Sequence, residues 1–357
     1  MSCAMMNDDS YPSLFIIEPL SCFDRMLSLP RSIQHGVANG PPFTRTQEMH
    51  AVNVTNLDNC PESGLFYGGR AGQKVGILID GDPWIAKFPR STRDLRGKHL
   101  PAYTSSPVSE FIGSHVYAML GIDAHETRLG YRRGKIVCAC KDFTHPDRRL
   151  FEFKDIKNSL SDDLAGDFAN VPSDGESIFL SDVLATLSLS EVLRSTPGVR
   201  ERFWDMFVVD AFLKNPDRNN GNWGLLRSSD GSWSIAPVYD LGSSLFSKRS
   251  DSLAVARANK DAELEEDAFG TNVSCYRVVG DDGEPHAIHP FEYMARSEDP
   301  ELAAAKARFL SAVDMARIEE LVDSIPSEAF GCAILSPERK DAHKKLLRYR
   351  LERGFLG

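Results

Sequence analysis

The sequence predicts an α+β protein, with a small β-rich part followed by a larger helical part. Three observations carry this. Residues 74–89 and 127–140 each hold two apolar runs around a tight turn, the pattern of β-hairpins. Residues 106–120 and 200–213 repeat apolar side chains at three- and four-residue steps, the pattern of helices with a buried face. Toward the C-terminus, Ala303 to Val322 and a segment opened by Ser336-Pro337-Glu338-Arg339 show helical spacing again.

Taken in order, residues 1–50 hold no clear element, and Asn39-Gly40-Pro41-Pro42 breaks any that starts there. They read as an extension, either a tail or a segment packed on the β-rich part. Leu14-Phe15-Ile16-Ile17 is short and follows Asp8-Asp9, so it does not read as a signal peptide. Gly68, Gly69 and Gly72 then cluster just before Lys74, and such glycines let backbone N–H groups approach a phosphate. The alternative is a mobile loop, since the spacing matches no standard phosphate-loop pattern. Lys74 to Ile79 alternates as a strand, Asp80-Gly81-Asp82-Pro83 turns, and Trp84 to Pro89 returns. Lys87 is a lone charge in that apolar return strand; alone it would read as an exposed edge lysine.

Ser106 is a candidate N-cap for the next helix, Pro107 fits its first turn and Gly121 ends it. Glu110 lies beside the apolar stripe of that helix, Val108, Phe111, Ile112 and Val116. It either pairs with Lys87 or complements the helix dipole. Thr127 to Tyr131 and Lys135 to Cys140 flank the turn Arg132-Arg133-Gly134, and the second strand runs into Lys141-Asp142-Phe143. Cys138 and Cys140 share one strand face and read as small buried residues, because a metal needs further ligands at suitable spacing.

Arg200 to Leu213 reads as a helix stopped by Asn215-Pro216. Asp217-Arg218-Asn219-Asn220-Gly221-Asn222 follows, then a hairpin of Trp223 to Leu226 and Trp233 to Tyr239, then Asp240-Leu241-Gly242. Gly242 is expected to let the chain turn away after the strand. Phosphoryl transfer from ATP needs a carboxylate to orient the acceptor hydroxyl, with a second carboxylate and an amide to hold magnesium. Asp217 and Asn222 have the D-x-x-x-x-N spacing of a kinase catalytic loop, and Asp240 opens an Asp-x-Gly tripeptide. Either piece alone reads as a polar turn. Together, and with Lys87 upstream, they form a kinase hypothesis.

These segments resemble the HipA-like serine/threonine kinases, most of all their shorter CtkA-like branch. The resemblance rests on GGRAGQKVGILIDGDPWIAKFP, SEFIGSHVYAMLGIDAHETRLG, VCACKDF, DAFLKNPDRNNGNWGLL and APVYDLGSSL, in order, over residues 64–246. It implies a bilobal fold related to protein and phosphoinositide kinases, with a small lobe at 51–145 and a large lobe at 146–357. It implies ATP and magnesium as cofactors and a protein substrate. It places the catalytic base at Asp217, metal ligands at Asn222 and Asp240, the phosphate lysine at Lys87 and the adenine hinge at Lys141, Asp142 and Phe143. An antitoxin-type partner and autophosphorylation come with the family. HipA-type toxins are similar in carrying a regulatory serine in the glycine-rich segment, but GGRAGQK holds neither serine nor threonine. No Ala-Pro-Glu follows Asp240, which argues against a eukaryote-style activation segment. A small-molecule or lipid kinase on the same core, and a silent nucleotide-binding partner protein, remain as alternatives.

A formal net charge of −10 argues against direct nucleic-acid binding by this chain alone. Seven scattered cysteines form no secreted disulfide framework. No apolar run reaches membrane-spanning length. A cytoplasmic enzyme is the expectation, with export as an effector left open. Residues 247–266 read as a loop or a short helix. Lys344, Lys345, Arg348, Arg350 and Arg353 read as a solvated basic helix face, with a substrate or partner patch as the alternative.

Overall fold

The computed structural model describes residues 51–357 apart from 66, 68–72, 94–99, 145, 162–177, 271–273 and 281. The expected N-terminal extension and Gly68, Gly69 and Gly72 therefore lie outside the described residues. The first part contains β1 (Thr55–Asn56), β2 (Lys74–Ile79), β3 (Asp82–Lys87), α1 (Ser106–Met119), β4 (Thr127–Arg132) and β5 (Lys135–Lys141). Next come β6 (Arg148–Glu152), α2 (Phe153–Ser161), β7 (Ile178–Phe179), α3 (Leu180–Leu189), α4 (Glu191–Ser195) and α5 (Val199–Leu213). Then follow β8 (Gly224–Ser228), β9 (Trp233–Ile235), α6 (Asp251–Ala258), α7 (Asp261–Phe269), β10 (Tyr276–Val279) and β11 (Pro285–Ala287). The chain ends with α8 (Pro290–Arg296), α9 (Pro300–Ala312), α10 (Met315–Ser324), β12 (Glu328–Ala329), β13 (Cys332–Ala333), α11 (Pro337–Arg350) and a π-helical turn, Leu351–Leu356.

Five strands form one sheet in the order β1-β4-β5-β3-β2, antiparallel except where β1 meets β4. Asp80 and Gly81 take the left-handed backbone (φ 54° and 88°) that a tight two-residue hairpin requires. That turn sets Lys74 opposite Lys87. Alternation then sorts the side chains. Trp84, Ala86 and Phe88 join Leu57, Ile77 and Val137 in a small cluster on one face. Lys87 is left on the other face, across from Cys138, where α1 packs. Cys138 and Cys140 are both buried there.

α5 is the axis of the helical part. Phe203, Trp204, Phe207, Val208, Val209 and Phe212 are buried around its circumference, as befits a helix inside a core. Each such large side chain contributes on the order of 2–3 kcal/mol by burial. β6 pairs with β8, and β8 with β9, so the expected hairpin is part of a three-stranded sheet. β9 is shorter than the Trp233–Tyr239 run suggested, because Pro237 cannot donate to a ladder. The freed segment docks instead on the chain after α1, where Val238 N donates to Asp123 O at 2.9 Å and His125 N to Val238 O at 3.0 Å.

Several boundaries differ from expectation for local reasons. Ser105, not Ser106, occupies the N-cap of α1, and Ser106 Oγ bonds Thr104 Oγ1 instead. The 247–266 segment forms two helices, α6 and α7, with Ser250 capping the first. The run from Ala303 to Val322 splits into α9 and α10 because Asp314 caps a new helix through Arg317 N. The basic C-terminal face is not simply solvated. Lys344 pairs with Asp323 at 2.8 Å and Arg348 with Glu319. Arg350 is fully buried and donates to Ala211 O, Phe212 O and Ala268 O, the last carbonyls of α5 and α7.

Carbonyls at a helix C-terminus lack their full complement of helical donors, and Ala211 O accepts from the backbone only through Lys214 N at 3.4 Å. Arg350→Ala is expected to lower the free energy of unfolding by about 3 kcal/mol, since several buried acceptors lose their donor together. Urea unfolding midpoints measure this, and an unchanged midpoint would contradict the role given to Arg350.

Candidate active site

Alternation along β3 and the period of α1 bring the first candidate residues together. Lys87 Nζ lies 2.8 Å from Glu110 Oε1 and also contacts Asp240 Oδ1. His125 Nε2 lies 3.1 Å from the same Glu110 oxygen. Glu110 is only 3% exposed. Burial alone would raise its carboxyl, but the charge of Lys87 and the His125 contact outweigh it and hold Glu110 well below the usual carboxylate range. Burial also works against a charged Asp240, and Lys87 again wins, lowering that carboxyl. Burial would lower Lys87 in turn. Asp240 and Glu110 overcome it and hold the amine well above the ordinary lysine value.

Asp240 reaches this position through strained backbone. Its φ of 55° lies in the left-handed region, at a cost of about 1 kcal/mol for a residue with a side chain. The chain turns at Gly242, as expected: Ser244 N donates to Leu241 O at 3.1 Å, closing a turn over Gly242 and Ser243. Glycine at 242 has a packing reason as well: a Cβ there would sit 3.0 Å from Glu110 Oε2 and 3.4 Å from Ser106. Gly113 of α1 likewise leaves room for Leu241, whose Cβ a methyl at 113 would meet at 2.8 Å.

The loop from Asp217 to Asn222 is built around Arg218, which is 1% exposed. Its Nε donates to Asp210 Oδ2 at 2.7 Å, and Nη1 donates to Asn222 O at 2.5 Å and Tyr239 O at 2.6 Å. One guanidinium therefore ties α5, the end of the loop and the residue before Asp240. Asp210 also accepts from Tyr117 Oη of α1 at 2.9 Å and Asn215 Nδ2 at 3.0 Å. Asp217 is held at its edges: Oδ1 accepts from Asn219 Nδ2 and Oδ2 from Ser243 Oγ, each at 3.1 Å. Asn222 Nδ2 donates to Asp217 O at 2.6 Å.

Lys87, Glu110 and Asp240 thus meet directly, and Asp217 and Asn222 share one loop joined to the Asp240 segment by Ser243 and Arg218. The other expected positions stand apart by side chain. Lys74 sits opposite Lys87 in the hairpin. Lys141 Nζ pairs with Asp82 at 2.8 Å, on the Trp84 face of the sheet. Asp142 accepts from Tyr67 Oη at 2.7 Å and from Thr144 N at 2.8 Å. The Phe143 ring packs 5.6 Å from that of Tyr239. Sequence reasoning passed over Asp210, Arg218, His125 and Ser243. Asp210 carried a signal, a single acid within the apolar run from Met206 to Leu213.

The depressed carboxylates fix a sign. An acid whose folded pKa is lowered contributes stability above its ordinary value, here 4.5 for Glu110, and loses it as pH falls through the folded value. Lys87, raised, contributes below its ordinary 10.5 and loses that as pH rises through the folded value. The stability gap between the wild type and Glu110→Gln is therefore expected to be widest near neutrality and to shrink on acidification below about pH 4. Urea midpoints across pH measure it, and a gap that stays constant into strong acid would contradict the ion pair.

Comparison with known proteins agrees with this architecture. The HipA-like C-terminal domain matches residues 68–299. The chain is 30% identical over 280 residues to a serine/threonine-protein kinase, CtkA of Helicobacter pylori, covering 78% of this chain and 80% of that protein. The crystal structure of a proinflammatory kinase CtkA from Helicobacter pylori superposes with a TM-score of 0.72 at 26% identity, covering 85% of this chain and 96% of that one. The α+β, kinase-like fold expected from the sequence is the fold of this chain, which belongs to the HipA-like C-terminal domain family.

Proposed function

We propose that this protein is an ATP- and magnesium-dependent serine/threonine protein kinase of the HipA and CtkA type. The observation that carries the reading is the contact of Lys87 with both Glu110 and Asp240, beside a loop whose Asp217 is tied to the Asp240 segment. In this reading Lys87, oriented by Glu110, holds the nucleotide phosphates. Asp217 orients the acceptor hydroxyl and takes its proton. The Ser243 hydroxyl, donating to Asp217 at 3.1 Å, supports this by placing an O–H where an acceptor would bind. Residues 51–145 form the small lobe, 146–357 the large lobe, and the backbone of 141–143 the adenine hinge.

The donor set suits magnesium, which takes oxygen ligands. Among the described residues, Asp240 Oδ2 and Asn222 Oδ1 accept no hydrogen bond, so both oxygens are open to a cation. Bound there, magnesium would neutralise charge on the ATP phosphates, and ATP would supply the phosphoryl group. The Lys87 contact keeps Asp240 ionised, as a ligand must be. Cys60, Cys138, Cys140, Cys275 and Cys332 are free thiols, and no described helix is long and apolar enough to cross a membrane. Both fit a cytoplasmic setting. A protein partner of antitoxin type belongs to the same proposal and rests on the family alone.

Incubation with γ-labelled ATP and magnesium, followed by phosphate mapping on the protein and in a lysate, tests this reading. Asp217→Ala is expected to lower transfer by ~10²–10⁴-fold with little change in nucleotide affinity. Asp240→Asn should remove most of the magnesium-dependent rise in melting temperature with ATP. Label found on lipid or small molecules alone would favour a different acceptor, and wild-type turnover in Asp217→Ala would remove that residue from the mechanism.

A further inference from the structure

The molecule holds a cavity of about 760 Å³ beside the candidate catalytic loop. Lys214, Asp217, Ser243, Phe246, Arg249 and Asp267 are among the residues that wall it. Lys87, Glu110, Asp240 and residues 141–143 do not. The cavity therefore opens on the Asp217 side of the site, away from the lysine expected to hold nucleotide.

Lys214 is the unusual wall. It is 5% exposed, and its Nζ sits 5.0 Å from the centre of the Phe246 ring. Of the other cations on the wall, Arg249 and Arg257 both bond Asp267, and Lys248 is exposed to solvent. Among the described residues, Lys214 Nζ has neither a carboxylate within ion-pair reach nor a hydrogen-bond acceptor. A buried charge without a partner is unfavourable. Burial, with Arg350 and Arg249 nearby, pulls its pKa down to about 7, while Asp267 acts the other way.

Its backbone deepens the puzzle. Lys214 caps α5 with φ 49° and ψ 53°, a left-handed geometry at which helices usually carry glycine. The chain thus bears a strained lysine where glycine would relieve the backbone, with an amine that faces the cavity and has no carboxylate beside it. Three residues later comes Asp217, on the same cavity wall. A polypeptide presenting a hydroxyl to Asp217 would bring its neighbouring side chain to Lys214.

We propose that this cavity is the acceptor subsite and that Lys214 binds an anionic side chain, carboxylate or phosphate, next to the acceptor serine or threonine. The inference rests on the protein-kinase reading for its acceptor role, whereas the anion contact can be measured without catalysis. The entering anion supplies the counter-charge that the fold withholds from Lys214.

Fluorescence anisotropy on the full chain tests it, with labelled peptides whose central serine is flanked by glutamate, phosphoserine or glutamine. The wild type is expected to bind both anionic peptides at least ~10-fold more tightly than the glutamine peptide. Comparing the two anionic peptides distinguishes a carboxylate from a phosphate preference. Lys214→Gly is the informative variant, because glycine suits the left-handed cap. It should melt at the same temperature or higher, keep its affinity for the glutamine peptide and lose the anionic preference. Lys214→Arg should retain the preference. Equal affinities in the wild type, or a preference that survives Lys214→Gly, would overturn the proposal. Transfer from γ-labelled ATP is read in parallel. Anionic preference without any transfer would sink the kinase reading and leave the anion site standing, and transfer without preference would do the reverse.

Discussion

The buried ion pair of Arg218 and Asp210 is the constraint on which the site depends. A guanidinium at 1% exposure needs its charge and its donors answered, and one carboxylate with two carbonyls answers them here. Each of those acceptors belongs to a different piece of the site. Asp210 is on the central helix, Asn222 ends the candidate catalytic loop, and Tyr239 precedes Asp240. The fork geometry of arginine lets a single side chain hold two backbone carbonyls and one carboxylate at once, which lysine could not do. Tyr117 extends the arrangement to α1, the helix that carries Glu110. The loop that bears Asp217 and the helix that bears Glu110 are thereby referred to the same carboxylate.

Around that anchor, strain and charge are concentrated at Asp240. Its left-handed backbone is held by Leu241 against Gly113 and by Gly242 against Glu110. Its side chain meets Lys87, which also meets Glu110. Glu110 is shared by Lys87 and His125, and Asp240 meets Lys87 through one oxygen and keeps the other open beside Asn222. A divalent cation at those oxygens would in turn attract a polyphosphate, which Lys87 would meet from the other side. Pre-setting the lysine between two carboxylates also spares its ordering when ligand arrives.

The elements that periodicity encodes were legible in the sequence. The β2–β3 hairpin follows from Asp80-Gly81, and α1 and α5 follow from their apolar repeats. So were the acids and amides of the loop, because their spacing is set by local chemistry. The contacts that assemble the site were less so. Nothing in the sequence around Arg218 says that its guanidinium turns inward rather than toward phosphate, since that depends on Asp210 one helix turn and a loop away. Arg350 looked like one of five cations on a basic helix, and only packing against the ends of α5 and α7 buries it. The split of α9 from α10 hinged on Asp314 acting as a cap, a choice that tertiary packing makes. Gly242 sits in the turn expected of it, but its close approach to Glu110 of α1, which also requires glycine there, is a tertiary contact that local sequence does not encode.

A double-mutant cycle on Asp210 and Arg218 tests the central claim most directly, with magnesium-ATP affinity read by calorimetry and stability by melting. Removing either partner leaves a buried charge unpaired, so Asp210→Leu and Arg218→Met should each be strongly destabilising. Combining them removes both charges and should restore much of the melting temperature. Affinity should not return with it: the double variant is expected to bind magnesium-ATP at least ~10-fold more weakly than the wild type, about 1.4 kcal/mol, because the carbonyls of Asn222 and Tyr239 no longer share a donor. A double variant that binds magnesium-ATP as tightly as the wild type would contradict the claim that this pair organises the site.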